Sequence, residues 1–328
     1  MEYRRLGSSG LKISALSFGS WVTFHYQMDE KKAYDCMKAA YDSGMNFFDN
    51  AEAYAGGESE RIMGKVLKKT NWKRSDLIIS TKIFWGGEGP NDRGLSRKHI
   101  WEGTHAALQR LQLDYVDLLF CHRPDPETPI EETVWAMSEL VRQGKALYWG
   151  TSEWPAELIM EAYRVARREH LIPPSMEQPE YNMFERKKVE LDYLPLYREI
   201  GLGTTIWSPL ACGLLTGKYN NGVPEDSRLS LRSYQGLKEQ ILNEEGLRRI
   251  EKVKQLVPLA HELGFTMAQM ALAWCLNNPH VSSVITGASR PEQVLENAKA
   301  VAMRSRLNPD VMRRIDEILQ TKPVAAER

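Results

Sequence analysis

Leu77-Ile78-Ile79-Ser80-Thr81-Lys82 is a short, largely apolar run that ends on a cation. Its length and composition predict a buried strand. Beyond a Gly-rich stretch, Ser96 to Leu111 repeats apolar residues at helical spacing, and Tyr115 to His122 is a second strand-like run. The same unit recurs on both sides. Upstream, Ile13 to Trp21 precedes a helix that Asp29 caps, with Ala33, Cys36, Met37, Ala40 and Tyr41 on one face. Met45 to Asp49 then leads into a helix from about Glu58 to Lys69. Downstream, a helix begins near Pro129 and Ile130, Ala146 to Ser152 is a strand, and another helix starts at Pro155. Ser175 to Tyr181, Gly203 to Pro209 and Val281 to Thr286 complete the strands, the last leading into a helix at Pro291.

Eight strand-then-helix units predict a parallel α/β fold, and eight is the count that closes a (β/α)8 TIM barrel. The alternative is an open doubly wound sheet, which normally has fewer strands. No stretch reads as an interdomain linker, so one domain over residues 1–328 is expected. Tyr3 to Ser14, turning at Gly7-Ser8-Ser9-Gly10, reads as a β-hairpin outside the repeat that caps the barrel's N-terminal end. Two segments break the rhythm, Gly86 to Gly94 and Leu210 to about Asn243. Loops of such length inside a compact domain are usually functional or disordered. A last helix is expected over about Pro309 to Gln320.

With 42% hydrophobic and 26% charged residues in 328, the chain has the composition of a soluble globular protein. Its formal net charge is zero, which offers no footprint for nucleic acid and no polybasic membrane patch. No apolar run approaches the about 20 residues that span a bilayer. The first residues lack the apolar core of a signal peptide, and a cytoplasmic location is expected. Cys36, Cys121, Cys212 and Cys275 lie far apart with no Cys-x-x-Cys pair, so neither a zinc site nor a disulfide framework is indicated.

Active sites of such barrels lie where the strands end. Asp49 and Tyr54 follow the second strand, Lys82 ends the third and His122 the fourth. Any one of these is usually structural; their conjunction at successive strand ends points to one cavity. A carbonyl that receives hydride needs a proton on its oxygen. Tyr54 supplies that proton, and a neighbouring Lys82 lowers the phenol's pKa from its ordinary value of about 10. Asp49 holds Lys82 charged, and His122 orients the carbonyl. General acid catalysis of this kind contributes roughly 10²–10⁴-fold, and the hydride comes from a cofactor.

No Gly-x-Gly-x-x-Gly opens a helix, which argues against a Rossmann site. Gly213-Leu214-Leu215-Thr216-Gly217-Lys218-Tyr219 is one residue short of a P-loop and lacks the Ser or Thr after Lys218, so Mg-nucleotide hydrolysis is rejected. Gly287-Ala288-Ser289-Arg290 before Pro291 places a serine and an arginine at a helix N-terminus, which suits the ribose phosphate of NADPH. The same residues also read as an ordinary cap.

Phe47-Phe48-Asp49-Asn50-Ala51-Glu52-Ala53-Tyr54, Ser80-Thr81-Lys82, Asp117-Leu118-Leu119-Phe120-Cys121-His122 and Trp207-Ser208-Pro209-Leu210 give the chain, over nearly its full length, a resemblance to the aldo-keto reductases. The resemblance implies a catalytic tetrad of Asp49, Tyr54, Lys82 and His122, with NADPH/NADP+ as cofactor and a small carbonyl compound as substrate. Thr81 to Gly87, Gly94 to His99, Arg123 to Pro126, Tyr148 to Ser152 and Trp207 to Gly213 resemble the branch of the potassium-channel β-subunits.

By that resemblance Ser152 and Gln178 hold the nicotinamide amide, and Asp49 also lies against the cofactor. Trp207 lies near the ring, with Gly19, Ser20 and Trp21 lining the pocket. Ser208, Pro209, Leu210, Ala211, Cys212, Gly213 and Lys218 face the pyrophosphate. Arg228, Gly287, Ser289, Gln293, Glu296 and Asn297 hold the adenosine end. Animal channel subunits carry Asn in place of His122, so the histidine here favours a working enzyme. They also carry Arg in place of Glu153 and Tyr in place of Asp226, and both differences remove cofactor contacts, which implies faster cofactor release.

A regulatory subunit that binds a membrane channel is therefore the alternative function. The resemblance also implies a homo-tetramer. A related bacterial branch, which reduces glyceraldehyde 3-phosphate, shares motifs like Leu214 to Tyr219 and Gly287 to Arg290, giving a third reading. Trp21, Phe84 and Trp85 suggest an aromatic-walled substrate pocket.

Overall fold

A computed structural model describes residues 1–21, 23–24, 28–225, 227–230 and 235–324, with backbone only at 228, 237 and 240. The hairpin strands β1 (Tyr3–Arg5) and β2 (Lys12–Ser14) pair antiparallel. Eight strands follow: β3 (Leu16–Gly19), β4 (Phe47–Asp49), β5 (Ile78–Ile83), β6 (Val116–Cys121), β7 (Ala146–Ser152), β8 (Met176–Gln178), β9 (Gly203–Ile206) and β10 (Val281–Thr286). They form a closed barrel in the order β10-β3-β4-β5-β6-β7-β8-β9, and all pairings are parallel.

The connecting helices are α1 (Glu30–Asp42), α2 (Glu58–Lys69), α3 (Arg97–Leu111), α4 (Ile130–Arg142) and α5 (Ala156–Arg168), followed by α6 (Leu194–Glu199), α7 (Gln235–Ile241), α8 (Glu244–Glu262), α9 (Met267–Asn277) and α10 (Pro291–Ala298). The short α11 (Ala300–Met303) and the terminal α12 (Pro309–Leu319) close the chain. Local chemistry sets several of these starts. Asp29 accepts the Lys32 N–H, and Ala33, Cys36, Met37 and Ala40 then form the buried face of α1. Ser96 accepts the His99 N–H at the start of α3.

The hairpin plugs the barrel's N-terminal end. Leu6 and Ile13 are fully buried in a cluster with Phe47, Ile78, Leu118, Phe120, Met176 and Ile285 from inside the barrel. Gly7 makes this fit possible: at φ 55° it lies so close to Gly201 that an added Cβ would stand 2.2 Å from the Gly201 carbonyl oxygen. With this end plugged, the large cavity lies at the opposite end, where the strands end.

Several sequence expectations need correction. Ile13 to Trp21 is not one strand. The chain changes partners at Ala15, whose N–H donates to Glu2 O, so that Lys12–Ser14 pairs with β1 and Leu16–Gly19 with β4 and β10. The run from Ser175 to Tyr181 shortens to Met176–Gln178, because Pro179 has no N–H to continue the ladder. The run to Pro209 stops at Ile206, and Ser208 turns into the left-handed region at φ 54°. The Leu210 to Asn243 segment is not all loop: it holds 3₁₀ turns at Ala211–Thr216 and Arg228–Ser230, and α7.

Candidate active site

At the C-terminal ends of the strands lies a cavity of about 1310 Å³. Single small-molecule pockets usually fall within roughly 300–1,000 Å³, so this one has room for two ligands side by side. Tyr54, His122, Trp85 and Arg123 line one end, and Ser289, Gln293, Glu296 and Asn297 line the other.

Lys82 is the hub of the first end, although it does not itself line the cavity. It is fully buried beneath it, paired with Asp49. Its Nζ donates to both Asp49 carboxylate oxygens at 2.8 and 2.7 Å, to Asn50 O at 2.9 Å, and to the Tyr54 hydroxyl at 3.1 Å. Asp49 Oδ1 also accepts from Ser80 Oγ at 2.7 Å and from Gln178 Nε2 at 3.1 Å. Such a network fixes both ionic partners; removing one alone would leave a buried charge, at a cost of roughly 3–5 kcal/mol. His122 stands edge-on to Tyr54, ring centroids 5.9 Å apart, and edge-on to Trp85 at 5.0 Å.

Burial raises the Tyr54 phenol well above its ordinary pKa, Asp49 adds to this, and Arg123 only partly opposes it. The expected lowering by Lys82 is therefore not what dominates, because burial disfavours the phenolate and the Asp49 carboxylate adds to that. Lys82 is itself pulled down by burial against the pull of Asp49. Burial, with Lys82 and Arg123 nearby, holds His122 well below 6.5. His122 Nδ1 is buried without a hydrogen-bond partner among the described residues. An unused donor there would cost more than an unused acceptor, which favours the neutral ring with its proton on Nε2.

Gly19, Ser20, Trp21, Ser152, Gln178, Trp207, Ser208, Pro209, Leu210, Cys212, Gly213, Lys218, Gly287, Ser289, Gln293, Glu296 and Asn297 all line the cavity with Asp49. Ala211 does not; it is buried behind the loop. The Arg228 side chain and Asp226 lie outside the described residues.

The arrangement fits a dinucleotide. Ser208, Ala211 and Cys212 hold φ between 47° and 54°, in a region that costs a non-glycine residue roughly 1–2 kcal/mol. Strain of this kind clusters at ligand clamps. At the far end the N-terminus of α10 meets the cavity beside Ser289 and Arg290, a setting that favours a phosphate.

Residues 15–320 match the model of the Aldo/keto reductase family. The chain belongs to this family. Aldo/keto reductases are oxidoreductases that generally use NAD(P)H. A protein of Arabidopsis thaliana described as a probable voltage-gated potassium channel subunit beta is 56% identical over 328 residues, 100% of this chain and 99% of that one. A protein of Oryza sativa subsp. japonica with the same description is 53% identical over the same coverage.

The sequence left parts of this aldo/keto reductase's site unseen. Glu153 does not line the cavity at all. Its carboxylate instead accepts the Trp207 indole N–H at 2.9 Å and the Glu180 N–H at 2.5 Å, and pairs with Lys188. Glu52, in the motif before Tyr54, accepts the Phe84 N–H at 2.6 Å and meets His99 Nε2 at 3.0 Å, tying the Phe84–Trp85 wall to α3. Arg123, which the sequence marks as no more than a motif residue, lines the cavity beside His122. Among the described residues, no helix is long and apolar enough to cross a membrane.

Proposed function

We propose that this chain is an NADPH-dependent reductase of aldehydes and ketones, with Tyr54 as proton donor. The observation that carries the reading is the Tyr54 hydroxyl 3.1 Å from a lysine that is clamped by Asp49, beneath a cavity that His122 also lines. Ser152 and Gln178 would hold the nicotinamide amide, with Trp207 against the ring. Ser208 to Gly213 and Lys218 would take the pyrophosphate, and Ser289, Gln293, Glu296 and Asn297 the adenosine end. A reduced nicotinamide bound there supplies hydride to the carbonyl carbon.

The protein's own groups handle the oxygen. His122 Nε2–H donates to it and fixes its direction. Burial and Asp49 keep the Tyr54 phenol protonated until the oxygen gains charge. The proton then passes from Tyr54 to the oxygen and completes the alcohol. Lys82, already hydrogen-bonded to the phenol oxygen, stabilises the phenolate left behind. Solvent returns the proton.

The test is NADPH consumption over a panel of aldehydes, run beside Tyr54→Phe and repeated with NADH. Turnover that requires NADPH and falls at least 10²-fold in Tyr54→Phe, the low end of general acid catalysis, supports the reading. A wild type that binds no nicotinamide cofactor overturns it.

A second reading rests on the two plant relatives, both described as probable channel subunits. In it the chain binds a potassium channel and reports the state of the cofactor. Co-purification with a channel, together with cofactor binding and no turnover, would put this reading first.

A further inference from the structure

Charge at the catalytic end of the cavity does not balance. Lys82 is neutralised by Asp49 at 2.7 Å, and His122 is held neutral. Arg123 remains. It is half-buried, lines the cavity, and has no carboxylate within 4.0 Å among the described residues. Its Nη1 donates to His122 O at 2.5 Å and to Ser152 Oγ at 3.3 Å, which holds the guanidinium in place. Nε and Nη2 donate to no described residue. That pair is the edge an arginine offers to a carboxylate or phosphate in two parallel hydrogen bonds. The guanidinium carbon lies 5.6 Å from the Trp85 ring centre, and Trp85 packs on His122. The cation is thus close enough to feel Tyr54, Lys82 and His122 electrostatically.

We infer that Arg123 recognises an anionic group on the substrate, so that the preferred carbonyl compounds carry a carboxylate or phosphate. This rests on the reductase reading and names the substrate class of the same site. A fixed cation with no counter-ion among the described residues, in a partly desolvated wall, is a place where a ligand's anion gains most. The aromatic faces of Trp21 and Trp85 accommodate the apolar body between carbonyl and anion.

Two substrate pairs test the inference. One is 4-formylbenzoate against its methyl ester, and the other is glyceraldehyde 3-phosphate against glyceraldehyde. Each pair is measured as a ratio of kcat/KM in wild type, Arg123→Gln and Arg123→Lys, so that any loss common to both members cancels. The wild type should favour the anionic member of at least one pair tenfold or more, through KM. That preference should fall about tenfold in Arg123→Gln and be partly kept in Arg123→Lys. The pair that responds says whether carboxylate or phosphate is the anion.

Calorimetric binding of 4-(hydroxymethyl)benzoate and its methyl ester to the cofactor-loaded protein gives a readout without turnover. Anion binding that depends on Arg123 with no turnover of any aldehyde would sink the reductase reading alone. Equal ratios in wild type and Arg123→Gln would overturn the inference and leave the reductase standing. So would a loss of NADPH affinity in Arg123→Gln with the ratios unchanged, since Arg123 would then serve only to position Ser152.

Discussion

Glu153 grips Trp207: the indole Nε1–H donates to Glu153 Oε1 across 2.9 Å, while Lys188 anchors the other carboxylate oxygen. The glutamate adopts φ 62° to do so, a conformation that costs a non-glycine residue roughly 1–2 kcal/mol. Trp207 meets Trp21 edge-on at 5.7 Å on the cavity wall.

Removing that grip should loosen the wall without touching Tyr54. In Glu153→Ala we expect the dissociation constant of the nicotinamide cofactor to rise about tenfold, with a far smaller change in the rate of the chemical step. Glu153→Gln, which can still accept from the indole, should recover part of the affinity. Cofactor titration followed by tryptophan fluorescence reads both. Unchanged affinity in Glu153→Ala would show that Trp207 needs no holding.

The pH profile should be broad. His122 is held well below 6.5 by burial, Lys82 and Arg123, so it stays neutral as pH falls to about 6. Tyr54 is pushed well above 10 by burial and Asp49, so it keeps its proton as pH rises to about 9. Both groups are then in their working forms throughout, and kcat/KM should be flat from about pH 6 to 9. A break near 6.5 that vanishes in His122→Gln would mean that the ring titrates in the open.

Glu177 makes stability depend on pH. It sits fully buried on β8, and burial pushes its carboxyl from 4.5 up to about 8. The folded state therefore keeps a proton that the unfolded chain releases above about 4.5. Its stabilising effect is complete below that pH and is lost as pH rises toward 8. Between pH 6.5 and 8 the wild type should lose up to about 2 kcal/mol from this group. Glu177→Gln should flatten that slope. Urea unfolding at several pH values within this window measures it, and parallel slopes for the two proteins would refute the assignment.

The barrel and the four-residue cluster were legible because both depend on local pattern. Asp49, Lys82 and His122 each end or follow a strand, and a barrel brings adjacent strand ends together whatever fills the loops. Tyr54 sits on the turn immediately after β4, so it travels with Asp49. What escaped depends on where the chain folds back on itself. Nothing near Glu153 says that Trp207, far along the chain, will donate to it, and nothing in Arg123 says that its nearest acceptor is the preceding carbonyl. The sign of the Tyr54 shift also escaped, since it depends first on how deeply the phenol is buried, with Asp49 adding to the effect. The turn at Ala15 failed for the opposite reason: an unbroken apolar run can serve two sheets, and composition alone does not mark the switch.

The closing seam pairs Leu16 with Val284 and Phe18 with Thr286. The first barrel strand to leave the ribosome is thus among the last to find its second neighbour. Until β10 emerges, β3 and β9 each present an open edge with unpaired backbone groups, the kind that captures other strands. Chaperone demand during synthesis should therefore rise until residue 286 clears the exit tunnel and fall afterwards. Chains stalled before residue 281 should be the most aggregation-prone products of this gene, although Asp49, Tyr54, Lys82 and His122 have all been made by then.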